Sequence, residues 1–370
     1  MYNAPNPDVM LRVIALVFAL GLVVSSCGDQ AADRKREEPT PAPSQRAGPN
    51  PFGVMLPSSL VRSPQGMQVA KGLGVVYYRP ASLFLSGWDG TCSECDAAVK
   101  AGLQLVLTVR NSGPLPTFPP DDLTAYRRTL GQVLDQYRPA VLVVENEENS
   151  ALFYTGTPEE YAAELEAACE VAHQKGISCA NGGLVSALVA LLVYDHYREL
   201  GEDAKAEDFA VRALTPEVRR ELNSQQAQEQ IRKGKALLQA YPGTGVDFVN
   251  FHWYVADTRA LEEAVAYLRG ETGLTVITNE IGQFTDDPGQ TTAVMGKIVE
   301  MGLPIAVWFG LDGPKARGLV DPGGTLRPTG KAFSDFIHER FGEGAAGAGR
   351  PSSSQIHRHP FRDRVYAGLH

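Results

Sequence analysis

The sequence lacks an excess of positive charge, and this absence excludes one class of partner. Of 370 residues, 34 are Lys or Arg and 43 are Asp or Glu, so the formal net charge is −9. Nucleic acid is therefore not an expected partner, because its phosphates attract basic surfaces. Apolar residues make up 44% of the chain and charged residues 21%, which is typical of a globular protein.

Cysteines are also few, and none is placed for redox chemistry. The chain has five. With Cys27 set aside, Cys92 and Cys95 form a CxxC, and Cys169 lies ten residues before Cys179. A thioredoxin-like site would require a compact βαβ unit around the CxxC, which the sequence does not show. We expect local structural disulfides, with their pairing left open.

The chain also lacks an apolar run long enough for a typical membrane span. The apolar residues 11–24 have Arg12 at their head and are followed by Ser25-Ser26-Cys27. A charged head, a short apolar centre and small residues indicate a secretory signal, with a plain membrane anchor as the alternative. The end of the run resembles a bacterial lipobox. This resemblance implies a signal peptide over residues 1–26, lipid on Cys27, and a membrane-anchored protein of the bacterial cell envelope that faces outward.

Two segments have almost no large apolar residues, and we expect both to be disordered. Residues 27–51 are rich in Pro, Ala and charged residues and predict a tether. Residues 343–370 predict a disordered tail. Its histidines His357, His359 and His370 are more typical of a solvated tail than of a metal site. Neither a metal nor a cofactor is predicted.

Between these segments, residues 52–342 alternate between apolar strand-like runs and helix-like segments. Strands are predicted at residues 52–56, 74–79, 103–109, 141–144, 177–180, 246–252, 274–279 and 304–309. Eight such repeats predict one domain with the (β/α)₈ TIM barrel fold. No GxGxxG follows the first strand, which disfavours an open doubly wound sheet. Residues 184–243 are too many for one helix and predict an enlarged helical insertion after strand five.

Two of the predicted strands end in carboxylates. Residues 141–144 lead into Asn146 and Glu147, and residues 274–279 lead into Glu280. An ionised carboxylate resists leaving water, so packing alone does not explain acids at the ends of buried strands. The C-terminal strand ends of a TIM barrel form its active site. Two carboxyl groups at this position are what retaining glycoside hydrolysis requires, although both could instead be rim charges.

Other polar and aromatic residues follow the remaining strands and would face the same mouth. Those expected to bind substrate are Arg79, Asn111, Asn146, Asn181, His252, Trp253, Tyr254 and Trp308. The charge of Arg79 would keep a nucleophilic carboxylate ionised, unless it belongs to a structural ion pair. Trp253 and Trp308 offer flat faces for sugar C–H groups, although Trp253 could equally be a packing residue.

The ordered set resembles the clan A retaining glycoside hydrolases. The family places Asn-Glu after strand four, His-x-Tyr after strand six, Glu-x-Gly after strand seven and a Trp on strand eight. The matching residues are Asn146-Glu147, His252-Trp253-Tyr254, Glu280-Ile281-Gly282 and Trp308. The resemblance implies that Glu147 is the acid/base, that Glu280 is the nucleophile and that Asn146 binds the 2-hydroxyl.

One departure leaves the strand-four assignment open. The family often reads Asn-Glu-Pro, whereas Glu147 is here flanked by Glu145 and Glu148. Any of the three acids could point inward. The sugar, its linkage and the oligomeric state are not predicted.

Two functions from different classes stay open. The first is a retaining glycosidase acting on an oligo- or polysaccharide. The second is a non-catalytic carbohydrate-binding surface lipoprotein on the same barrel, because a fold does not fix a function. The two carboxylates favour the enzyme. A Schiff-base aldolase is disfavoured, because no predicted strand ends in Lys.

Overall fold

The computed structural model describes residues 48–63, 65–310 and 318–342. The predicted signal peptide, Cys27, most of the tether and the tail therefore lie outside the described residues. Within the described ranges, no helix has both the length and the apolar character needed to cross a membrane.

Eight parallel strands close into a barrel, which confirms the predicted fold. They are β1 Phe52–Met55, β2 Tyr77–Tyr78, β3 Gln104–Arg110, β4 Val141–Val144, β5 Ser178–Asn181, β6 Phe248–Trp253, β7 Thr275–Ile281 and β8 Ala306–Phe309. Each strand pairs with the next, and β8 pairs with β1 to close the cylinder. A further two-residue strand, Leu83–Phe84, pairs with the C-terminal end of β3.

Alternation along each strand divides the core into two parts. Val141 and Val143 of β4 point into the barrel, while Leu142 and Val144 point outward beneath the helices. Successive side chains of a strand face opposite sides of the sheet, so apolar runs without polar breaks fill both parts. The barrel interior is packed with small and β-branched residues, namely Val106, Val141, Val143, Ala180, Ile277, Ile305 and Val307.

Helices cover the barrel. They span Ser58–Val61, Gly66–Gly72, Ser93–Lys100, Leu123–Tyr137, Pro158–Gln174, Ser186–Glu199, Asp203–Ala213, Pro216–Arg220, Gln225–Ala240, Thr258–Thr272, Pro288–Glu300 and Pro328–Phe341. Local sequence sets their ends. Thr157 and Glu160 form a capping box around Pro158, and such a cap contributes about 1 kcal/mol.

The insertion after β5 contributes four of these helices. Its last helix, Gln225–Ala240, packs against Pro158–Gln174 and Thr258–Thr272, so it takes the place of the fifth barrel helix. It also packs on Ser186–Glu199, where Gly234 permits close approach. A Cβ at Gly234 would lie 2.9 Å from Cδ1 of Leu188.

Both disulfides of the described chain are local. Cys92 is bonded to Cys95, and Cys169 is bonded to Cys179. The second bond joins the helix Pro158–Gln174 to the following strand, β5.

Candidate active site

The backbone turns abruptly where β4 ends. Glu145 and Glu147 have φ angles of 65° and 50°, in the left-handed region that residues with a Cβ generally avoid. Such a conformation costs about 1–2 kcal/mol per residue and is concentrated at functional sites. It breaks the side-chain alternation of the strand, so three acids close together in sequence reach three different environments.

Glu145 is structural. Its carboxylate is fully buried and lies 3.3 Å from Nε of Arg110. It also accepts hydrogen bonds from the Thr117 hydroxyl and the Asn111 backbone N–H, both at 2.6 Å. These contacts join the ends of β3 and β4. The side-chain amide of Asn111 donates to the Phe118 carbonyl at 2.9 Å, so Asn111 holds the rim loop.

Glu148 is buried on another side of the strand end. Its Oε1 accepts from Nδ2 of Asn181 at 2.7 Å and from the Tyr241 hydroxyl at 2.5 Å. Burial raises the pKa of Glu148, because a charged carboxylate is poorly solvated there. Asn181 is itself fully buried and also bonded to Asn250, so the structure places it behind the mouth and not on its surface.

Glu147 and Glu280 face each other across the mouth. Their side chains keep 17% and 13% exposure, whereas Glu145 and Glu148 have none. A carboxylate oxygen of Glu147 lies within 4.8 Å of one of Glu280. The structure thus places Glu147, of the three strand-four acids, beside the strand-seven acid.

Glu280 is surrounded by hydrogen-bond donors. Nη1 of Arg79 lies 2.5 Å from Oε2 of Glu280, and the Tyr254 hydroxyl donates to Oε1 at 2.8 Å. Burial on its own would raise the pKa of Glu280. The positive charges of His252 and Arg79, with the hydrogen bonds from Arg79 and Tyr254, outweigh burial and lower that pKa. Glu280 is therefore held as a carboxylate.

His252 lies beneath both acids. Its Nδ1 is 2.9 Å from Oε1 of Glu147 and 3.8 Å from Oε1 of Glu280. Burial would lower the pKa of this imidazole, but the negative charges of Glu280 and Glu147 outweigh burial and raise it. Nε2 of the same ring lies 3.0 Å from Oδ1 of Asn279, which is not among the site residues predicted from the sequence.

Arg79 links Asn146 to Glu280. Nη2 of Arg79 donates to Oδ1 of Asn146 at 2.7 Å, while Nη1 also donates to the backbone carbonyl of Asn279 at 3.1 Å. Arg79 therefore orients Asn146 as well as Glu280. The side-chain nitrogen of Asn146 is left on the side away from Arg79.

The two tryptophans lie away from the mouth, which corrects the expectation that they contact sugar. Trp253 and Trp308 are fully buried in the layer between strands and helices, where Trp308 packs on Phe333 with ring centroids 5.6 Å apart. The barrel pleat explains this position. Val307 points into the barrel and Trp308 points out. The alternation then turns Phe309 to the inner side, where its ring meets Tyr254.

Three other aromatic rings form a cluster that reaches Glu280 through Tyr254. Tyr254 stacks on Phe284 with centroids 5.2 Å apart and meets Phe309 edge-on at 6.0 Å. All three are partly exposed, and Tyr254 reaches Glu280 directly. Phe309 lies two residues after Val307, whose side chain the closed barrel turns inward, and the uniformly apolar sequence of this strand does not show which residues face inward.

Within the described residues, Glu147, His252 and Glu280 also form a group close enough to hold a metal ion. Arg79 already donates to Glu280 at 2.5 Å, so a cation there would face a guanidinium charge. The groups around Glu280 therefore suit an ionised carboxylate better than a carboxylate bound to a metal ion.

Comparison with known proteins supports the barrel and no finer assignment. No family model matches the chain, and no curated protein sequence matches it. A glucosidase from Croceicoccus marinus superposes with a TM-score of 0.56 at 14% identity, over 79% of this chain and 66% of that one, just under two thirds of its length. A GH128 (subgroup II) endo-β-1,3-glucanase from Sorangium cellulosum superposes with a TM-score of 0.51 at 14% identity, over 76% and 97%. The chain therefore shares the TIM-barrel fold of these two proteins.

Proposed function

We propose that this protein is a retaining glycoside hydrolase that cleaves O-glycosidic bonds of an oligo- or polysaccharide by double displacement. The observation that carries the proposal is the pair of carboxylates at the ends of β4 and β7, with oxygens of Glu147 and Glu280 within 4.8 Å. Retaining enzymes separate the two carboxyl groups by about 5–5.5 Å, and inverting enzymes by about 6.5–9.5 Å, to admit a water.

Glu280 is the proposed nucleophile. A carboxylate that acts as a nucleophile must be ionised and must stay unprotonated at the pH of the reaction. The hydrogen bonds from Arg79 and Tyr254 and the lowered pKa of Glu280 supply that condition. Attack on the anomeric carbon forms a glycosyl ester on Glu280 and expels the leaving oxygen.

Glu147 is the proposed acid/base. It gives a proton to the leaving oxygen in the first step and takes one from the attacking water in the second. Its side chain is partly exposed on the mouth side, and Nδ1 of His252 holds its other side at 2.9 Å. The aromatic rings of Tyr254, Phe284 and Phe309 offer apolar faces beside the same space.

A substrate screen tests the proposal. The full chain is incubated with aryl glycosides and polysaccharides, with β-1,3-glucan tried early because one structural neighbour acts on it. The anomeric configuration of the first product is then followed by NMR, with Glu280→Gln as the matched inactive control. Turnover with retention is expected. An inverted product contradicts the mechanism, and binding without turnover by any sugar supports the carbohydrate-binding alternative.

We also propose that Cys27 is lipidated and tethers the barrel to the outer face of a bacterial membrane. The support is the lipobox-like Val24-Ser25-Ser26-Cys27 and the tether composition that follows. A Cys27→Ala variant, expressed in a bacterial host, should leave the membrane fraction or remain unprocessed. Full processing and membrane attachment of that variant would contradict this proposal.

A further inference from the structure

Three asparagines on adjacent strands form a continuous hydrogen-bonded ladder that ends at the catalytic mouth. Asn181 on β5, Asn250 on β6 and Asn279 on β7 are all fully buried. Oδ1 of Asn181 accepts from the backbone N–H of Asn250 at 2.6 Å, and Oδ1 of Asn250 accepts from that of Asn279 at 2.9 Å. The same pattern thus repeats from strand to strand.

Backbone groups fix which way the central amide of this asparagine ladder points. A backbone N–H can only donate, so the atom of Asn250 that faces the N–H of Asn279 is its oxygen. A backbone carbonyl can only accept, so the atom that faces the Asn181 carbonyl at 3.1 Å is its nitrogen. The two independent constraints agree on one orientation.

The orientation of Asn250 determines that of Asn279. Nδ2 of Asn250 lies 2.8 Å from one side-chain atom of Asn279, and that atom must therefore be the acceptor, Oδ1. The same oxygen lies 3.0 Å from Nε2 of His252. An amide oxygen cannot donate, so Nε2 of His252 carries a hydrogen.

With Nε2–H fixed, the other ring nitrogen determines how many protons His252 and Glu147 hold. Nδ1 lies 2.9 Å from Oε1 of Glu147. An imidazolium donates to an ionised Glu147, and a neutral ring accepts from a protonated Glu147. Both arrangements place one proton between Nδ1 and Oε1, whereas no proton there, or a proton on each of these two atoms, breaks the hydrogen bond.

We propose that His252 and Glu147 hold a single shared proton in the resting protein, and that the asparagine ladder enforces this by locking Nε2 of His252 as a donor. His252 is then a positioning residue that acts through Glu147. It keeps a proton available at the mouth whichever of the two atoms carries it.

The proton count balances through the reaction, and this part rests on the proposed glycosidase function. As the bond from Glu280 to the anomeric carbon forms, the C–O bond of the leaving group breaks and the leaving oxygen takes the shared proton. The pair then holds none, so a bare Nδ1 faces the Glu147 carboxylate. That repulsion favours removal of a proton from the incoming water, whose oxygen displaces Glu280 and whose proton restores the pair.

Several charged groups influence the pKa of His252. Glu147 and Glu280 favour its charged form, and Arg79 opposes it. The buried Glu148 also interacts electrostatically with the ring. Removal of one negative neighbour should therefore shift the titration of His252 toward lower pH, whereas added negative charge should shift it upward.

The first test reads the tautomer without any substrate. Long-range ¹H–¹⁵N NMR of the full chain reports the protonation of each nitrogen in its seven histidines, and the signals absent from His252→Gln identify His252. Protonated Nε2 is expected throughout the pH range of the folded protein, with Nδ1 gaining its proton at lower pH. A neutral ring with hydrogen on Nδ1 overturns the proposal.

Variants that change the charge near His252 test whether its protonation depends on Glu147. Asn279→Asp keeps an acceptor for Nε2 and adds negative charge, so Nδ1 should stay protonated to higher pH. Glu147→Gln should have the opposite effect. Asn149→Asp is the matched control, since Asn149 is also a buried asparagine near this end, but its Oδ1 accepts from the Val185 N–H at 3.1 Å. Failure of Nδ1 to respond to Glu147→Gln overturns the shared proton.

The two proposals fail in distinguishable ways. If the locked tautomer and the coupling are observed but no glycoside is cleaved, the glycosidase function is wrong and the shared proton stands. If the protein is an active retaining enzyme but Nε2 of His252 is unprotonated, the shared proton is wrong and the function stands. In an active enzyme, Asn279→Asp should also move the alkaline limb of the kcat/KM profile to higher pH, and Asn149→Asp should not.

Discussion

Nη1 of Arg79 lies 2.5 Å from Oε2 of Glu280, although Arg79 directly follows β2 and Glu280 belongs to β7, two strands that are not neighbours in the barrel. Both side chains are largely buried, with 5% and 13% exposure. An ion pair in such surroundings is screened little by solvent. It lets a buried carboxylate keep its charge at a position across the mouth from Glu147.

Loss of Arg79 should change the pH dependence of activity. Because Arg79 helps hold the pKa of Glu280 below its usual value, Arg79→Met should let burial raise that pKa. The proposed mechanism requires an ionised Glu280, so the acid limb of the kcat/KM profile should move to higher pH. The maximum should fall about 10²–10³-fold, the effect of removing one charge-stabilising donor. Arg127→Met, which breaks the surface pair with Glu170, is the control. An acid limb that does not move in Arg79→Met would contradict the role of Arg79.

The two mouth acids should fail in different ways when replaced by alanine. Glu280→Ala removes the proposed nucleophile and should abolish turnover whatever the leaving group. Glu147→Ala should still form the glycosyl-enzyme from an activated aryl glycoside, since that leaving group needs no proton. Added azide should then restore turnover and give a glycosyl azide of retained configuration. The measurement is product NMR.

Rescue of Glu280→Ala should instead give the inverted azide, because azide then attacks from the face that the Glu280 side chain occupied. Full activity of Glu147→Ala, combined with the acid/base pattern in a variant of Glu145 or Glu148, would contradict the assignment of strand four.

The buried acids of strand four should affect stability more than the mouth acid does. Glu145→Gln leaves Arg110 buried without a charged partner, and such breaks cost about 3–5 kcal/mol. Glu147→Gln keeps a polar group at the partly exposed mouth and should change the free energy of unfolding by less than about 1 kcal/mol. Urea unfolding of the full chains measures both. Equal effects would show that Glu145 is not the structural member of the set.

Alanine variants of two neighbouring aromatic residues on β8 should distinguish a packing role from a role in substrate contact. Trp308→Ala empties a fully buried site against Phe333 and should lower stability by about 3–5 kcal/mol, with KM unchanged in the protein that stays folded. Phe309→Ala removes a partly exposed ring beside Tyr254 and should raise KM with a smaller loss of stability. Steady-state kinetics and thermal melting distinguish the two. A raised KM for Trp308→Ala alone would contradict the outward position.

The barrel could be predicted from the sequence because the features that produce its strands and helices are local. Apolar runs such as Val141–Val144 fill both sides of a parallel strand, and capping residues such as Thr157 mark where helices begin. The ends of β4 and β7 can be found in the same way, since Glu147 lies three residues after Val144 and Glu280 is the last residue but one of β7. These positions were determined by the chain alone.

The tertiary structure alone decided which side chains lie next to one another. The left-handed backbone at Glu145 and Glu147 separates three sequence neighbours, and no local pattern of residues specifies that turn. The pleat of the closed barrel turns Trp308 outward and Phe309 inward. The asparagine ladder joins residues 29 and 69 positions apart, which meet because parallel strands of a barrel lie side by side, a relationship that depends on closure and register rather than on nearby sequence.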